Sequence, residues 1–236
     1  MPPSTPLLRP DQFFAERDIA AGRILIVVCL LVFSLPVGIW GVGQVLKVRI
    51  DGTVLVENPN RPSESFCEGA PASMDVGCDA PAQIEQNVDV VLSEAIGQLI
   101  GPAFVGTLIV IVLVGGLLHF GSWVLGAENG AAASFAVALW GLVPSLFSLL
   151  FGIGLLFVLV DPITVTTETD PTVLTEQIQA DLNPLQRWSP LITGITTLWS
   201  GIIWRFGLLH KRGLSPGEAT GVAGTVAVTV WFLSFV

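Results

Sequence analysis

The 236-residue chain is 52% hydrophobic and only 12% charged, with a formal net charge of −9 and a mean hydropathy of +0.75. This composition is too apolar and too poor in charge for an ordinary soluble domain. The acidity argues against binding of nucleic acid and against a wide basic surface for anionic lipids, since both need clustered Lys and Arg. Lysine occurs only at Lys47 and Lys211. Scarce lysine and abundant acid are typical of a high-salt organism such as a haloarchaeon.

Long apolar runs, all but one free of Asp, Glu, Lys and Arg, dominate the chain. A membrane helix needs about 20 mostly apolar residues to cross a hydrocarbon core of about 30 Å. Because lipid offers no hydrogen-bonding partners, each crossing segment must be a helix among helices. We therefore predict an all-α fold, a polytopic transmembrane helix bundle with five spans. The predicted spans are 23–46, about 102–125, 131–160, 188–210 and 217–236.

A polar leader, residues 1–22, precedes the first span and has four prolines in its first ten positions. We expect it to be largely disordered and solvated. The alternative is an amphipathic segment that dips Phe13, Phe14 and Ile19 into the membrane interface. The first span could also be a cleaved signal peptide, but its length and the lack of a small-residue cleavage site favour a retained anchor.

An acidic extracytoplasmic loop, residues 47–83, is expected after the first span. Two β-rich runs flank Asp51-Gly52, a dipeptide that favours the turn of a β-hairpin. Cys67 and Cys78 are candidates for a disulfide, which would stabilise a loop that has few apolar side chains to bury. The alternative is two free or metal-binding thiols, although neither His nor a further Cys accompanies them.

The remaining elements are predicted from periodicity and from proline. Residues 84–100 carry apolar side chains on one helical face, which predicts an amphipathic helix on the membrane surface. Gly101-Pro102 is a natural place for this helix to bend into the second span. The span 131–160 is longer than a bilayer needs, and Pro144 is its expected kink. A short surface helix, Val173–Leu182, is expected before the fourth span.

Charges near the span ends indicate a cytoplasmic N-terminus and an extracytoplasmic C-terminus in the cell membrane. With this orientation the inner side holds Arg9, Arg17, Arg23, Lys211 and Arg212, with Arg205 nearby, and the outer side holds Lys47, Arg49, Arg61 and Arg187. Acidic residues divide more sharply. Of the 19 in the chain, nine lie in 47–94 and five lie in 161–187, so they would coat the outer face.

Several local motifs occur in a characteristic order. They are Leu99-Ile100-Gly101-Pro102, Leu117-Leu118-His119, Trp140 ahead of Pro144, Leu198-Trp199, Trp204-Arg205-Phe206-Gly207-Leu208, and Gly213-Leu214-Ser215 with Ala219. Together they resemble the Yip-domain family of five-helix membrane proteins, over about residues 85–236. The resemblance implies the fold of that family, whose members are linked to vesicle traffic, to binding of Rab-type GTPases and to membrane shaping.

The chain departs from the eukaryotic family pattern at two motifs. Eukaryotic members carry Asp-Leu-Tyr-Gly-Pro where this chain has Gln98-Leu99-Ile100-Gly101-Pro102, and a Gly-Tyr pair where it has Leu139-Trp140. The chain contains no tyrosine. These departures argue against GTPase binding, so the fold of the family transfers more readily than its partners.

Four ionisable residues, His119, Glu128, Arg205 and His210, are candidates for a polar cluster. They fall near the cytoplasmic ends of the second and fourth spans, where ionisable groups are costly and often functional. A Glu128–Arg205 pair beside His119 would form a pocket for a lipid headgroup or an ion. The alternative, which we favour, is that Arg205 and His210 reach to the interface and His119 bonds a neighbouring helix.

No catalytic motif accompanies these residues. The chain lacks a P-loop, a His-Glu-x-x-His pattern and a nucleophile elbow, and two His and three Cys are too few for a convincing metal site. We therefore expect no enzyme activity, cofactor or metal. The favoured function is a scaffold in membrane organisation or trafficking, with lipid, other membrane proteins or a second copy as partners. The alternative is a small-solute transporter or lipid-moving protein that uses the polar cluster.

Overall fold

The computed structural model describes residues 5–17, 20–69, 77–127, 130–167 and 171–234. The molecule is mostly helical, at 76%, with a small three-stranded sheet. Its elements in chain order are α1 (Pro10–Glu16), α2 (Ala21–Arg49), β1 (Ile50–Glu57), α3 (Glu64–Gly69), β2 (Gln83–Asn87), α4 (Val88–Val124), α5 (Ala131–Leu142), α6 (Pro144–Leu159), β3 (Ile163–Val165), α7 (Pro171–Arg212) and α8 (Pro216–Leu233).

Among the described residues, four helical stretches are long and apolar enough to cross a membrane. They are α2, α4, α5 together with α6, and Leu182–Arg212 of α7. In an 18-residue apolar window of the α5–α6 stretch only 11% of the residues are buried inside the protein. An apolar surface of this extent requires lipid as its solvent, so the chain is a multi-pass membrane protein. α8, with 18 residues, is the predicted fifth span, and its crossing stays a prediction.

The predicted surface helix 84–100 is replaced by a strand and the start of a longer helix. Gln83–Asn87 is β2, and α4 begins at Val88, where the Asn87 side chain accepts a hydrogen bond from the Asp89 amide at 2.8 Å. α4 then continues as one helix through Pro102, since neighbouring helices can compensate for a proline at membrane depth. The helical periodicity misled the prediction because β1, the strand that pairs with β2, is distant in sequence.

Proline interrupts the helix at Pro144 but does not interrupt α7. α5 ends at Leu142 and α6 begins at Pro144, as the predicted kink requires, because proline lacks an N–H and its ring crowds the preceding turn. In contrast, the predicted surface helix Val173–Leu182 is not separate. It is part of α7, which continues through Pro184 and Pro190 into the fourth span.

A three-stranded sheet takes the place of the predicted hairpin. β1 runs through Asp51-Gly52 without turning, and it pairs antiparallel with β2 and parallel with β3. Gly52 has a φ of 128°, which other residues rarely adopt, and a Cβ there would collide with the backbone of Val165 on β3. The glycine therefore permits close strand packing. The hairpin prediction was wrong because it considered only neighbours in sequence.

The helix ends meet at two opposite ends of the bundle. The sheet joins the end of α2, the start of α4 and the end of α6. At the other end, the last residue of α7 bonds the α4–α5 turn. The helices α2, α4, α5–α6 and α7 therefore alternate in direction, which is what a bundle of consecutive spans requires.

α8 begins at Pro216, directly after its N-cap residue Ser215. Ser215 and Glu218 form a capping box, in which the Ser215 hydroxyl accepts from the Glu218 amide at 3.4 Å and the Glu218 carboxylate accepts from the Ser215 amide at 2.9 Å. This reciprocal pair satisfies two backbone donors that would otherwise lack partners at a helix start. Ala219 and Ala223 then face the main core.

The main core lies between α4, α5, α7 and α8. Trp204 and Leu208 of α7 are fully buried there beside Val137 of α5 and Leu118 of α4. α5 and α7 approach closely at Gly141, where a Cβ would collide with the indole of Trp204. The indole Nε1 donates to the Ala138 carbonyl at 3.3 Å. Several motif residues of the family resemblance are thus core residues.

The N-terminal residues 5–17 pack against the bundle, so the expectation of solvated disorder is wrong for them. Phe13 and Phe14, on α1, are 4% and 0% exposed and belong to the main core. Ile19 lies outside the described residues. A short proline-rich segment cannot bury these side chains by itself, and the sequence gives no direct sign of the surface on α7 that covers them.

Candidate functional site

The structure places the candidate polar residues in three separate contacts. His119, Arg205 and His210 bond three different partners, and Glu128 lies outside the described residues. His119 Nδ1 is 3.4 Å from the hydroxyl of Ser134 on α5. This contact joins α4 to α5.

Arg205 joins α7 to α8. Its Nε donates to the hydroxyl of Thr220 at 2.9 Å, and its guanidinium carbon lies 4.8 Å from the centroid of the Phe206 ring. The Thr220 hydroxyl in turn donates to the Pro216 carbonyl of its own helix at 2.7 Å. The charge is therefore held against α8 by one hydrogen bond and one aromatic face.

Arg212 is the buried cation that the sequence did not single out. It is 1% exposed, its Nε donates to the hydroxyl of Ser122 on α4 at 3.0 Å, and its Nη1 donates to the Gly130 carbonyl at 3.1 Å. Its Nη2 is also buried and has no hydrogen-bond partner within the described part of the chain. One side chain at the end of α7 thus holds both sides of the α4–α5 turn.

The residues around Arg212 form a polar layer under that turn. Ser122 and Ser134 are fully buried, and the Ser122 hydroxyl also donates to the His119 carbonyl at 3.0 Å. The positive-inside rule placed Arg212 among the basic residues of the inner side, whereas the structure buries its side chain. Ser122, the serine that accepts from Arg212, lies 90 residues earlier in the chain, so this partnership is visible only in the folded bundle.

His210 contacts the N-terminal segment, which we define as residues 5–17. Its Nε2 lies 2.5 Å from Asp11 Oδ1, at the protein surface. Eleven residues earlier on α7, the Trp199 indole donates to the Leu7 carbonyl at 2.9 Å. With a rise of 1.5 Å per residue, the segment contacts α7 at two levels about 16 Å apart.

Aromatic packing completes the contact with the N-terminal segment. The Phe13 ring meets Trp140 of α5 edge-on, with centroids 5.3 Å apart, and Phe14 packs beside it at 5.2 Å. Burial of a Phe side chain stabilises by about 1.5–3 kcal/mol relative to water. The gain is smaller relative to lipid, because lipid tails are as apolar as the protein interior.

At the opposite end of the bundle, two contacts stabilise the predicted extracytoplasmic region. Cys67 and Cys78 are positioned as a disulfide pair, with Cα atoms 5.6 Å apart, and Cys29 on α2 is a free thiol. Arg49, at the end of α2, donates to the Phe157 carbonyl at 2.6 Å and lies 4.7 Å from the centre of that ring. The Arg49 contacts join the end of α2 to α6, and the disulfide closes a loop within the connection from β1 to β2.

Two of the cavities contain none of the candidate polar residues that the structure describes. A groove of about 790 Å³ between α2 and α6 is lined almost entirely by apolar side chains. A polar cavity of about 490 Å³ lies beside β1 and α3 and includes Glu57, Arg61 and Glu64. Within the described ranges, no group of three His, Cys, Asp or Glu residues is arranged to hold a metal ion.

Comparison with known proteins identifies the family. The model of the Yip1 domain matches residues 6–236, which is nearly the whole chain and includes the N-terminal segment. No curated protein and no solved structure matches the chain. The family match agrees with the core placement of Trp204, Leu208 and Ala219. The chain belongs to the Yip1-domain family of membrane proteins.

Proposed function

We propose that the protein is a non-enzymatic, five-span scaffold that organises or remodels the cell membrane through its shape and its contacts. Its N-terminus lies in the cytoplasm, and α8 is the fifth span, ending on the outer side. At about 1.5 Å per residue, the 18 residues of α8 extend about 27 Å, close to the thickness of a hydrocarbon core. Partners are expected to be lipid, other membrane proteins or a second copy.

One observation carries the proposal: polar side chains near the end of the bundle are used to join helices. Arg212 joins α7 to the α4–α5 turn, Arg205 joins α7 to α8, and His119 joins α4 to α5. A transporter needs polar groups that converge on a substrate path. Here the contacts instead support a fixed helical body with a lipid-facing apolar exterior.

The distribution of charge supports the proposed orientation. Arg17, Arg23 and Lys211 lie at the end of the bundle that holds the α4–α5 turn, as the positive-inside rule expects of the cytoplasmic end. The sheet and the acidic loops lie at the opposite end. An acidic outer surface is also consistent with the net charge of −9.

The decisive experiment measures membrane shape and lipid movement in the same vesicles. Purified protein is reconstituted at increasing density, vesicle shape is recorded by electron cryomicroscopy, and lipid exchange between leaflets is followed with a fluorescent lipid and an impermeant quencher. We expect density-dependent deformation or clustering of vesicles without accelerated lipid exchange.

Substitutions separate the scaffold from a lipid-moving protein. Arg205→Ala and Glu128→Ala remove candidate polar groups, and Lys47→Ala at the opposite end is the matched control. Accelerated lipid exchange that disappears in the first two variants and persists in the third would overturn the scaffold proposal. Vesicles that keep their shape at every protein density would also contradict it.

A further inference from the structure

We infer that the N-terminal segment, residues 5–17, is a releasable ligand that the chain holds against a peptide-binding groove of its own. We call this the aromatic groove. Trp140, Trp199 and His210 contact the segment directly, and Val137, Leu208 and Leu214 belong to the same buried cluster as Phe13 and Phe14. The groove recognises a short helix that carries two adjacent aromatic side chains preceded by a carboxylate. In the closed protein the segment blocks access to the groove, so it acts as an autoinhibitory contact.

The segment has the two-sided character of a docked peptide. Pro6, Pro10, Phe13 and Phe14 face the protein and are buried. The opposite side is exposed and mostly polar or charged, and it comprises Leu8, Arg9, Asp11, Gln12, Ala15, Glu16 and Arg17. An amphipathic helix laid into an apolar groove is a common form of peptide recognition. The segment therefore matches the chemistry of a ligand better than that of a core helix.

Three contacts define what the groove recognises. The Trp199 indole donates to the Leu7 carbonyl at 2.9 Å, and this hydrogen bond binds the backbone of the peptide. His210 Nε2 contacts the Asp11 carboxylate at 2.5 Å, which favours an acidic residue. Phe13 meets the Trp140 ring edge-on at 5.3 Å, and Phe14 is fully buried beside it.

The bundle can stay intact when the segment leaves. α1 has only seven residues, and no side chain caps its start at Arg9, so its helical form depends on the groove. Its contacts with α7 use side chains and the Leu7 carbonyl, while the backbone hydrogen bonds of the spans are internal to each helix. The released Phe13 and Phe14 can enter the membrane interface, which lowers the cost of opening.

The test uses the full chain in lipid nanodiscs and a fluorescent peptide with the sequence of residues 5–17. In one variant, Phe13→Ala with Phe14→Ala weakens the segment. In a second, Asp11→Cys with His210→Cys in a Cys29→Ala background is closed by a short, reducible thiol cross-linker. The control peptide has both phenylalanines replaced by alanine, and the Cys29→Ala protein given the same reductant controls for loss of the Cys67–Cys78 bond.

We expect the peptide to bind the Phe13→Ala, Phe14→Ala protein about tenfold or more tightly than the original chain, because apparent affinity falls with the fraction of open protein. The cross-linked protein should not bind the peptide, and reduction should restore binding. Since the closed and reduced samples are one polypeptide, a folding defect cannot mimic this difference. The control peptide should bind none of them.

Three results would overturn the inference. Equal binding before and after reduction would mean that the peptide binds elsewhere. No binding to any open form would make the segment a permanent part of the core. A cross-link between two chains, seen as a dimer on a non-reducing gel, would mean that the segment occupies the groove of a second copy.

Discussion

Arg212 and Ser122 meet inside the protein, with Nε and Oγ 3.0 Å apart and both side chains almost completely buried. This hydrogen bond joins α7 to α4. Arg212 donates a second hydrogen bond to the carbonyl of Gly130, which lies on the far side of the α4–α5 turn. A basic residue that sequence patterns place at the membrane surface thus holds three helices together at one end of the bundle.

Replacement of this cation should destabilise the protein. In Arg212→Met, the Gly130 carbonyl and the Ser122 hydroxyl each lose a charge-assisted hydrogen bond, worth about 1.5–3 kcal/mol. We expect a loss of about 3 kcal/mol or more, or roughly 6 °C or more in the unfolding midpoint. Thermal unfolding in detergent, followed by tryptophan fluorescence, measures the change.

Arg205→Met is the matched control for that measurement. Arg205 donates one hydrogen bond to the side chain of Thr220 near the protein surface, so its removal should cost about 1 kcal/mol or less. If Arg212→Met unfolds at the same temperature as the original chain, the proposed role of Arg212 in holding the helices is wrong.

The close approach of α5 and α7 gives a second prediction. A methyl group in Gly141→Ala would displace the Trp204 indole and break its hydrogen bond to the Ala138 carbonyl. Overpacking of this kind destabilises by about 1–3 kcal/mol, and the altered indole should shift the fluorescence maximum. The unfolding midpoint and the emission spectrum together measure the effect.

Gly116→Ala in α4 is the control for Gly141→Ala. A Cβ at Gly116 meets open space, and alanine favours a helix over glycine by about 0.5–1 kcal/mol. Both substitutions add one methyl group. Because their surroundings differ, Gly141→Ala should lower the stability of the protein and Gly116→Ala should raise it. Equal destabilisation by both would show that α5 and α7 do not rely on this contact.

The spans could be predicted from sequence because their signal is local. A run such as 24–46 contains no charged residue, and no distant contact is needed to infer that it belongs in lipid. Proline gave a partial guide: Pro144 breaks a helix, whereas Pro102 and Pro184 lie within continuous helices. Packing around each proline decides the outcome, and that packing is not a local property.

The non-local features could not be read from the sequence. β1 pairs with β3 more than one hundred residues later, so Asp51-Gly52 was interpreted as a turn. Phe13 and Phe14 are buried only because α5 and α7 provide a surface for them. Of the candidate site, the sequence suggested His119 and Arg205, but their partners and the burial of Arg212 required the tertiary structure.

The two cysteines of the sheet region give a prediction about both oxidation and orientation. An impermeant maleimide added to intact cells should label Cys67 and Cys78 only after reduction, and should not label Cys29, which lies within α2. In Cys67→Ser the remaining Cys78 should react without reductant. Mass spectrometry of the purified protein counts the labels.

Two results would contradict this prediction. Labelling of both cysteines before reduction would mean that the thiols are free. Labelling only after the cells are broken open would place the sheet region in the cytoplasm and reverse the proposed orientation.

The fifth span can be tested with single cysteines at positions that flank the bundle. In a Cys29→Ser background, Ala20→Cys precedes α2 and Ser234→Cys follows α8, and both positions are exposed. An odd number of crossings separates them, so an impermeant reagent outside the cell should label Ser234→Cys and not Ala20→Cys.

The outcome at both positions decides between the topologies. If both cysteines are labelled in intact cells, or if neither is labelled until the cells are lysed, the two positions lie on the same side. The number of crossings between them would then be even, and α8 would lie on the membrane surface. Labelling of Ala20→Cys alone would keep five spans and reverse them. Gln83→Cys, exposed at the start of β2, is the internal reference. Four spans (α4, α5 with α6, α7 and α8) separate it from Ser234 if α8 crosses, so the two positions should then react from the same side. If α8 does not cross, they should react from opposite sides.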